Sequence, residues 1–302
     1  MKRICITGAG GMIGRALTKY ALSRGTAVTA LVRPGSGKLR DMTHPLLQVI
    51  EADLSSLDAV QCPPCDVFVH LGWAATHGDT RLQADIQSKN VDYTLSAVRL
   101  AHRLGAEAFV FVGSQAEYGP QTQPLRPDTP TQPVSAYGIA KREAGEKSRT
   151  LCASLGIRYC HVRILSVYGV GDRSTTLVSV CVDAMLRGTS PALTTCTQMW
   201  DYLYVDDAAR ALYAVSEKGR DGAVYPLGSG ECRPLRDYVL DIRDVTGCNA
   251  LPRFGEKDFL PDQVHYLCAD LTALTADTGF VPQVPFREGI RRICTDKEAT
   301  HK

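Results

Sequence analysis

The chain has 302 residues, of which 44% are hydrophobic and 22% charged, values that fit a folded protein with a sizeable core and exclude disordered, collagen-like and coiled-coil chains. The formal net charge of +2 gives no strong field toward nucleic acid or an anionic membrane surface. No apolar run reaches the ~18 residues of a membrane span, and the N-terminus lacks the apolar region of a signal peptide. We therefore expect no nucleic-acid partner and no membrane insertion.

The 11 cysteines are odd in number and scattered from Cys5 to Cys294. A secreted disulfide framework has paired cysteines in a shorter chain, so we expect reduced thiols and a cytoplasmic location. Cys62 and Cys65 enclose two prolines, but a zinc site needs further ligands at suitable spacing, and the sequence offers none. The sequence therefore predicts no metal site.

Short apolar runs alternate with helix-like patterns in the first half of the chain. Their apolar residues are consecutive, as in strands that are covered on both faces of a parallel sheet. These runs predict strands at 4–7, 27–33, 47–51, 66–71, 108–113 and 157–163. The intervening patterns predict helices at 12–24, 81–104 and 136–155. This alternation implies right-handed βαβ units and hence an α/β fold with a Rossmann-type, doubly wound parallel sheet.

The second half of the chain has a looser rhythm. The proline-rich segment 120–133 predicts a loop. Further helices are predicted at 176–187, 206–217 and 235–246. We expect the first domain to span residues 1–169 and residues 170–302 to form mainly a smaller C-terminal lobe, with segments near 200–228 returning to the sheet.

Glycines recur at every third position where the first strand meets the first helix. Gly8 permits a tight turn, Gly11 lets the backbone approach a pyrophosphate, and Gly14 lets the helix pack closely on the strand. Met12 and Ile13 open the helix, whose N-terminus supplies free N–H groups and a partial positive charge. The motif predicts a dinucleotide site, and the alternative is a glycine turn without a ligand.

Arg33 ends the second predicted strand, where many NAD-binding sheets carry a carboxylate for the ribose hydroxyls. An arginine there favours a 2′-phosphate, so it favours NADP over NAD, and Lys38 and Arg40 add to the same field. Asp53 follows the third strand and is predicted to accept a hydrogen bond from the adenine amino group. The alternative for these residues is an ordinary solvated charge.

Tyr137 and Lys141 are four residues apart on a predicted helix and so share one face. A free tyrosine has a pKa near ~10, and a neighbouring ammonium is expected to lower it, so that the phenol exchanges a proton with a substrate hydroxyl while hydride moves. Ser114 lies at the carboxyl end of the fifth strand, where ligands bind in open α/β sheets, and is expected to hold the same substrate oxygen.

These motifs resemble those of an extended short-chain dehydrogenase/reductase, in the NAD-dependent epimerase/dehydratase family. The matching segments cover nearly the whole length: 7–14, 70–75, 90–91, Ser114 with 118–119, Tyr137 with Lys141, 167–169, 200–207, 279–280 and 286–290. The resemblance implies a nucleotide-linked sugar as substrate, and a homodimer formed through the helices at 81–104 and 136–155. It makes residues 1–169 the NAD(P)-binding domain and 170–302 mainly the substrate-binding lobe.

The motifs and the resemblance together assign roles to individual residues. Ser114, Tyr137 and Lys141 would be catalytic. The residues expected at the cofactor are Gly8, Gly11, Met12, Ile13, Gly14, Arg33, Asp53, Leu54, Leu71, Gly72, Tyr137 and Lys141. The residues expected at the substrate are Ser114, Glu117, Ser166, Arg173 and Trp200.

Sugar 4,6-dehydratases of this family have an acidic pair directly after the strand-end hydroxyl residue. Here these positions are Gln115 and Ala116, which disfavours dehydration because the elimination of water needs an acid and a base. Glu117 lies one position further on, and a capping role is the alternative to its expected substrate contact.

The substrate-binding segment also departs from the family pattern. UDP-galactose 4-epimerases usually have an arginine at the position of Trp200 and an asparagine near that of Ser166. Arg173 and Arg233 are candidate replacement contacts to phosphate, and Trp200 either stacks on a base or sugar or belongs to the core. These departures leave the identity of the nucleotide open.

The sequence thus favours hydride transfer at C4 of a nucleotide-linked sugar. A 4-epimerase would use a retained NAD, and a 4-keto-sugar reductase would use NADPH, with Tyr137 as the acid and base in both. The sequence leaves two further functions open, that of a 4,6-dehydratase and that of a non-catalytic, NADP-sensing Rossmann protein.

Overall fold

The computed structural model describes residues 1–76, 78–259 and 263–300. Seven strands form one sheet. They are β1 (Arg3–Thr7), β2 (Ala27–Val32), β3 (Leu47–Glu51), β4 (Val67–His70), β5 (Ala108–Ser114), β6 (Arg158–Ile164) and β10 (Ala223–Leu227). Their order across the sheet is β10-β6-β5-β4-β1-β2-β3, and each neighbouring pair is parallel. The architecture confirms the predicted α/β, Rossmann-type parallel sheet.

The described part of the chain contains eight α-helices, five of which cover the two faces of this sheet. The eight are α1 (Met12–Ser23), α2 (Ala84–Arg103), α3 (Ala136–Ser154), α4 (Leu177–Leu186), α5 (Val205–Lys218), α6 (Leu235–Thr246), α7 (Thr272–Thr278) and α8 (Phe286–Thr300). Side chains from α1, α5 and α7 share one core with Ile4 and Ile6 of β1, whereas α2 and α3 share the opposite core with Cys5. This two-sided burial explains why the strands are apolar at consecutive positions.

A second group of elements lies after β6. It contains two pairs of short strands, β7 (Ser166–Tyr168) with β9 (Tyr202–Tyr204) and β8 (Met199–Trp200) with β11 (Arg233–Pro234). A separate core joins these strands to α4, α6 and α8. By contrast, α5 and β10 return to the large sheet, and α7 packs beside them. The domain boundary at residue 169 remains a prediction.

The helix expected at 81–104 differs most from its prediction. A short 3₁₀ turn occupies Asp79–Leu82, Gln83 is extended, and α2 begins only at Ala84. Arg81 therefore lies outside the helix, on a turn that approaches α3. The last two helices and the short strands after β6 were not predicted, because their stabilising contacts come from distant segments.

The cysteines correct one expectation. Cys232 and Cys268 are joined in a disulfide, so the prediction of reduced thiols throughout is wrong for this pair. Nothing in the described part of the chain forms a helix long and apolar enough to cross a membrane. In the same residues, no group of three His, Cys, Asp or Glu side chains is placed to hold a metal ion.

Candidate active site

The glycine turn lies between β1 and α1, and each glycine meets a different steric requirement. Gly8 has a φ of +68°, and a Cβ there would collide with the backbone of Leu71 and Gly72. A Cβ on Gly14 would collide with the Gly8 carbonyl oxygen. Gly11 caps α1, and a Cβ there would meet only the Gly8 carbonyl oxygen, at 3.4 Å, so the space in front of the helix N-terminus is open to a ligand. This cradle fits a dinucleotide pyrophosphate.

A buried hydrogen-bond chain fixes the contact between this turn and the end of β4. The Gly72 N–H donates to Thr7 Oγ1 at 3.1 Å, and Thr7 Oγ1 lies 2.8 Å from His70 Nδ1. Thr94 Oγ1 donates to the Asn90 carbonyl and lies 3.3 Å from His70 Nε2. Burial, and then the charge of Lys141, lower the pKa of His70 to about 3, so its ring is neutral. Both ring nitrogens of His70 have a hydrogen-bond partner when the Thr7 hydroxyl donates to Nδ1 and the Nε2–H donates to the Thr94 hydroxyl.

Basic side chains flank the glycine turn at the end of β2. Lys38 packs on Gly10, where a Cβ would lie 2.6 Å from the Lys38 Cβ. Arg33 is exposed directly after β2. Hydrogen bonds from Ser55 are the main cause of the lowered pKa of Asp53, and the charge of Arg33 lowers it further. Asp53 caps the short 3₁₀ helix at Leu54–Ala59 through the Ser55 N–H. The Asp53 carboxylate thus already accepts a hydrogen bond within the protein, whereas the side chains of Arg33 and Lys38 are exposed.

Ser114 and Tyr137 meet at the carboxyl end of β5. Ser135 caps α3 and fixes the first turn of the helix, on which Tyr137 is the second residue. Burial raises the pKa of Tyr137, and the neighbouring Ser114 hydroxyl opposes that rise. The structure therefore brings together the two hydroxyl groups that the sequence placed at the same substrate oxygen, and it leaves the phenol protonated at neutral pH.

The Lys141 side chain is held by the backbone of β5 and by Trp73. Its Nζ donates to the Val112 carbonyl at 2.7 Å and lies 3.8 Å from the centre of the Trp73 ring. Burial lowers the pKa of Lys141 to about 7. The net shift of the Tyr137 pKa is upward, because burial outweighs the nearby positive charges, so the lowering expected of that pKa is not observed. Trp73 touches both residues, since its ring lies 6.0 Å from that of Tyr137 in an edge-on contact.

Two arginines place positive charge near the phenol. The Arg81 guanidinium carbon lies 4.4 Å from the centre of the Tyr137 ring. Among the neighbouring charges, that of Arg81 has the largest influence on the pKa of Tyr137, which it lowers, and Arg173 acts in the same direction. No sequence motif pointed to Arg81, because its position depends on the interruption before α2.

Glu117 corrects another expectation, since it is fully buried and is not placed to contact a substrate. Its carboxylate accepts hydrogen bonds from the Ser114 N–H at 2.8 Å and from Arg163 Nε at 2.8 Å, and it lies 3.1 Å from His161 Nε2. Burial alone would raise the pKa of Glu117, but His161 and Arg163 hold it at about 2. The capping role, which was the alternative, is the one observed.

The other residues expected at the substrate lie in the segments after β6. Ser166 and Trp200 are in direct contact, because Trp200 Nε1 donates to Ser166 Oγ at 2.9 Å. Arg173 is exposed and donates to Thr76 Oγ1 at 3.1 Å. Arg233 pairs with Glu231 and Asp241 at 3.0 Å each, so its guanidinium is already balanced.

The family model described as the NAD-dependent epimerase/dehydratase family matches residues 4–228 of this chain. Among curated proteins, the UDP-glucose 4-epimerase of Azospirillum brasilense is 25% identical over 319 residues, covering 96% of this chain and 90% of that protein.

Two solved structures show the same fold. The UDP-glucose 4-epimerase of Thermotoga maritima, in complex with UDP-glucose, has a TM-score of 0.86 at 22% identity and covers 99% of this chain and 100% of that one. The RMD protein of Pseudomonas aeruginosa, in complex with NADPH, has a TM-score of 0.79 at 17% identity, with 99% and 100% covered.

Proposed function

The chain belongs to the NAD-dependent epimerase/dehydratase family, and from this premise we propose that it transfers hydride at C4 of a nucleotide-linked sugar. The observation that carries the proposal is the proximity of Tyr137, in the first turn of α3, to Ser114 at the carboxyl end of β5, whose hydroxyl influences the pKa of the phenol. These two residues lie near the glycine turn. Gly72 packs against Gly8 of the turn, and the residue after Gly72, Trp73, contacts Tyr137.

The proposed cofactor is NAD or NADP, held by the glycine cradle. Gly8, Gly11 and the N-terminus of α1 would bind the pyrophosphate, and Leu54, Leu71 and Gly72 would line the adjoining surface. When bound, the nicotinamide supplies the acceptor or donor of hydride. The exposed cations Arg33 and Lys38 favour a cofactor with a 2′-phosphate, hence NADP.

Tyr137 is the proposed acid and base. In the reductive direction a carbonyl carbon gains hydride, and the Tyr137 phenol gives its proton to the carbonyl oxygen, which Ser114 orients by a hydrogen bond. In the oxidative direction the phenolate takes the proton of the sugar hydroxyl as the C–H bond gives up hydride. The raised pKa of Tyr137 keeps the phenol protonated, the form that the reductive direction requires.

A 4-keto-sugar reductase and a 4-epimerase share this chemistry. The cations beside the glycine turn and the protonated Tyr137 favour the reductase. The similarity to a UDP-glucose 4-epimerase over 96% of the chain favours the epimerase. Ser166, Trp200 and Arg173 are proposed to contact the sugar or its phosphates in both cases.

Dehydration is disfavoured by the segment after Ser114. Gln115 and Ala116 carry no carboxyl group, and the Glu117 carboxylate is held inside the protein by Arg163. A non-catalytic sensor is disfavoured because Tyr137, Lys141 and Ser114 are all retained.

We also propose a homodimer formed through α2 and α3. These helices pack side by side and leave a shallow groove along their outer face, lined in part by Leu95, Thr150 and Leu151. Light scattering coupled to size-exclusion chromatography tests this proposal, and a purely monomeric species at micromolar concentration would contradict it.

The central experiment identifies the cofactor and the product together. Protein purified under mild conditions is denatured and its supernatant analysed for NAD and NADP. Retained NAD with interconversion of UDP-glucose and UDP-galactose supports the epimerase, and an empty protein that consumes NADPH with a nucleotide 4-keto sugar supports the reductase. Tyr137→Phe is expected to lower turnover about 100- to 10,000-fold with cofactor binding unchanged. Turnover at the wild-type rate in that variant would refute the assignment of Tyr137.

A further inference from the structure

We propose that Glu117 and Arg163 are positioning residues for the proton-transfer site, and that their buried ion pair fixes the Ser114 hydroxyl and the Tyr137 phenol relative to each other. Neither Glu117 nor Arg163 would touch the substrate or the cofactor. The inference rests on the proposed function, because that function makes the two hydroxyl groups reactive.

The 3₁₀ turn at Gln115–Glu117 directly follows Ser114 and sets the orientation of its hydroxyl. Ser114 Oγ accepts a hydrogen bond from the Ala116 N–H at 3.2 Å, and the Glu117 carboxylate accepts one from the Ser114 N–H at 2.8 Å. Because the hydroxyl acts as an acceptor within the turn, its proton remains available for the substrate oxygen. The orientation of Ser114 therefore depends on where the Glu117 carboxylate is held.

The same 3₁₀ turn packs against the first turn of α3, which carries Tyr137. Gly138 lies so close to the Ala116 carbonyl oxygen that a Cβ on this glycine would collide with it. The Gly138 N–H donates to the capping hydroxyl of Ser135 at 3.1 Å, which fixes the start of the helix. A displacement of the 3₁₀ turn would therefore move the first turn of α3, and with it the phenol.

The Glu117 carboxylate is held by two side chains of β6, the strand beside β5. Arg163 Nε donates to this carboxylate at 2.8 Å, and His161 Nε2 lies 3.1 Å from it. Gly113 of β5 and Gly145 of α3 leave room for the cluster, because a Cβ on either glycine would collide with the His161 ring. The cluster thus joins the 3₁₀ turn to the sheet.

The chemistry of this cluster indicates a role in alignment. The hydrogen bonds within a 3₁₀ turn have poor geometry, so the position of a three-residue turn depends on contacts from outside it. A buried ion pair loses much of its Coulomb energy to desolvation, and apolar side chains of similar volume often stabilise an interior at least as well. Apolar side chains, however, would not fix the turn through directional hydrogen bonds, as the ion pair does.

Steady-state kinetics test the inference, measured well below the melting temperature of each variant so that only folded protein is compared. The protein carries its retained cofactor or added NADPH, and the substrate is UDP-galactose or a UDP-linked 4-keto sugar, whichever the wild type converts. Glu117→Gln is expected to lower kcat about 10- to 100-fold, the effect of displacing reacting groups by about 1 Å. KM and the affinity for the cofactor should change less than about 3-fold, since the nucleotide and the cofactor are proposed to bind elsewhere.

A double substitution separates alignment from stability. Glu117→Gln leaves Arg163 buried without its carboxylate and should lower the melting temperature, whereas Glu117→Gln with Arg163→Met removes both charges and should recover most of that loss. We expect kcat to stay low in the double variant although its melting temperature recovers. Glu288→Gln, in exposed ion pairs with Arg291 and Arg292 on α8, is the matched control and should keep the wild-type kcat.

Three results would overturn the inference. A double variant that regains both its melting temperature and the wild-type kcat would show that the ion pair serves stability alone. A raised KM with an unchanged kcat in Glu117→Gln would assign the carboxylate to substrate binding. If the wild-type protein converts neither nucleotide sugar, the proposed function falls, and this inference falls with it.

Discussion

The Lys141 ammonium lies 3.8 Å from the centre of the Trp73 ring, and the same nitrogen donates to the Val112 carbonyl at 2.7 Å. This position is buried, and burial lowers the pKa of Lys141 to about 7 from an ordinary value of 10.5. The protein thus keeps a cation where its charge is costly, behind the proposed catalytic tyrosine. Such a placement is typical of groups that are retained for function at the expense of stability.

Replacing Lys141 by methionine should stabilise the cofactor-free protein. Methionine keeps the apolar stem and removes the buried amine, so the free energy of unfolding at pH 7 should rise by about 1–3 kcal/mol, while activity is lost. Between pH 7 and 10.5 Lys141 is protonated in the unfolded wild-type chain and largely neutral in the folded protein, so the free energy of unfolding of the wild type should rise with pH. The variant should lack this pH dependence. Urea unfolding at several pH values measures both effects.

Lys147→Met is the matched control for that substitution. Lys147 lies on the same helix but is half-exposed, and it pairs with Glu143 at 2.7 Å across one helical turn. Exposed pairs of this kind contribute little to stability, so the control should leave the free energy of unfolding nearly unchanged. A Lys141→Met protein that is less stable than the wild type at pH 7 would show that the amine stabilises the cofactor-free fold.

The two tryptophans of the chain allow the charge of Lys141 to be observed directly. In a Trp200→Phe background, Trp73 is the only indole, and protonation of an amine at 3.8 Å should shift its emission. We expect a transition with a midpoint near the Lys141 pKa of about 7. The transition should be absent in the same background carrying Lys141→Met, and flat emission between pH 5 and ~9 in the parent would contradict the contact.

The sequence predicted the sheet and the identity of the main site residues because both depend on local patterns. Consecutive apolar residues marked the first six strands, and Ser135 marked the start of α3. The orientation of side chains was not predictable in this way. Glu117 is turned inward by Arg163, which is distant in sequence.

The position of Arg81 was missed for the same reason. The helical pattern continues through position 81, so the sequence placed this residue on α2. The structure interrupts the pattern at Gln83, whose backbone is extended, and Gln87 holds the preceding turn by donating to the Thr80 carbonyl at 3.1 Å. This interruption of the helix leaves Arg81 on the turn, where its guanidinium lies over the Tyr137 ring.

The choice of cofactor should depend on Arg33 and Lys38. The double substitution Arg33→Asp with Lys38→Ala removes two positive charges from the glycine turn and adds the carboxylate that suits the ribose hydroxyls of NAD. The ratio of NADP to NAD affinity should fall about 10- to 1,000-fold, which fluorescence titration with NADPH and NADH measures. Arg24→Gln, at the exposed C-terminal end of α1, should leave the ratio unchanged, and so would the double substitution if these cations were ordinary surface charges.

Glu117→Gln should destabilise the protein because it leaves Arg163 buried without its carboxylate. Removing one partner of a buried ion pair costs about 3–5 kcal/mol, and we expect this loss at neutral pH. The Glu117 pKa is held at about 2 against an ordinary value of 4.5, so its contribution is present above pH 4.5 and is lost as the pH falls toward 2. The difference between wild type and variant in urea unfolding should therefore shrink over that interval. Glu146→Gln, in an exposed pair with Arg142 on α3, should have little effect. A Glu117→Gln protein with wild-type stability and weakened substrate binding would instead place this carboxylate at the substrate.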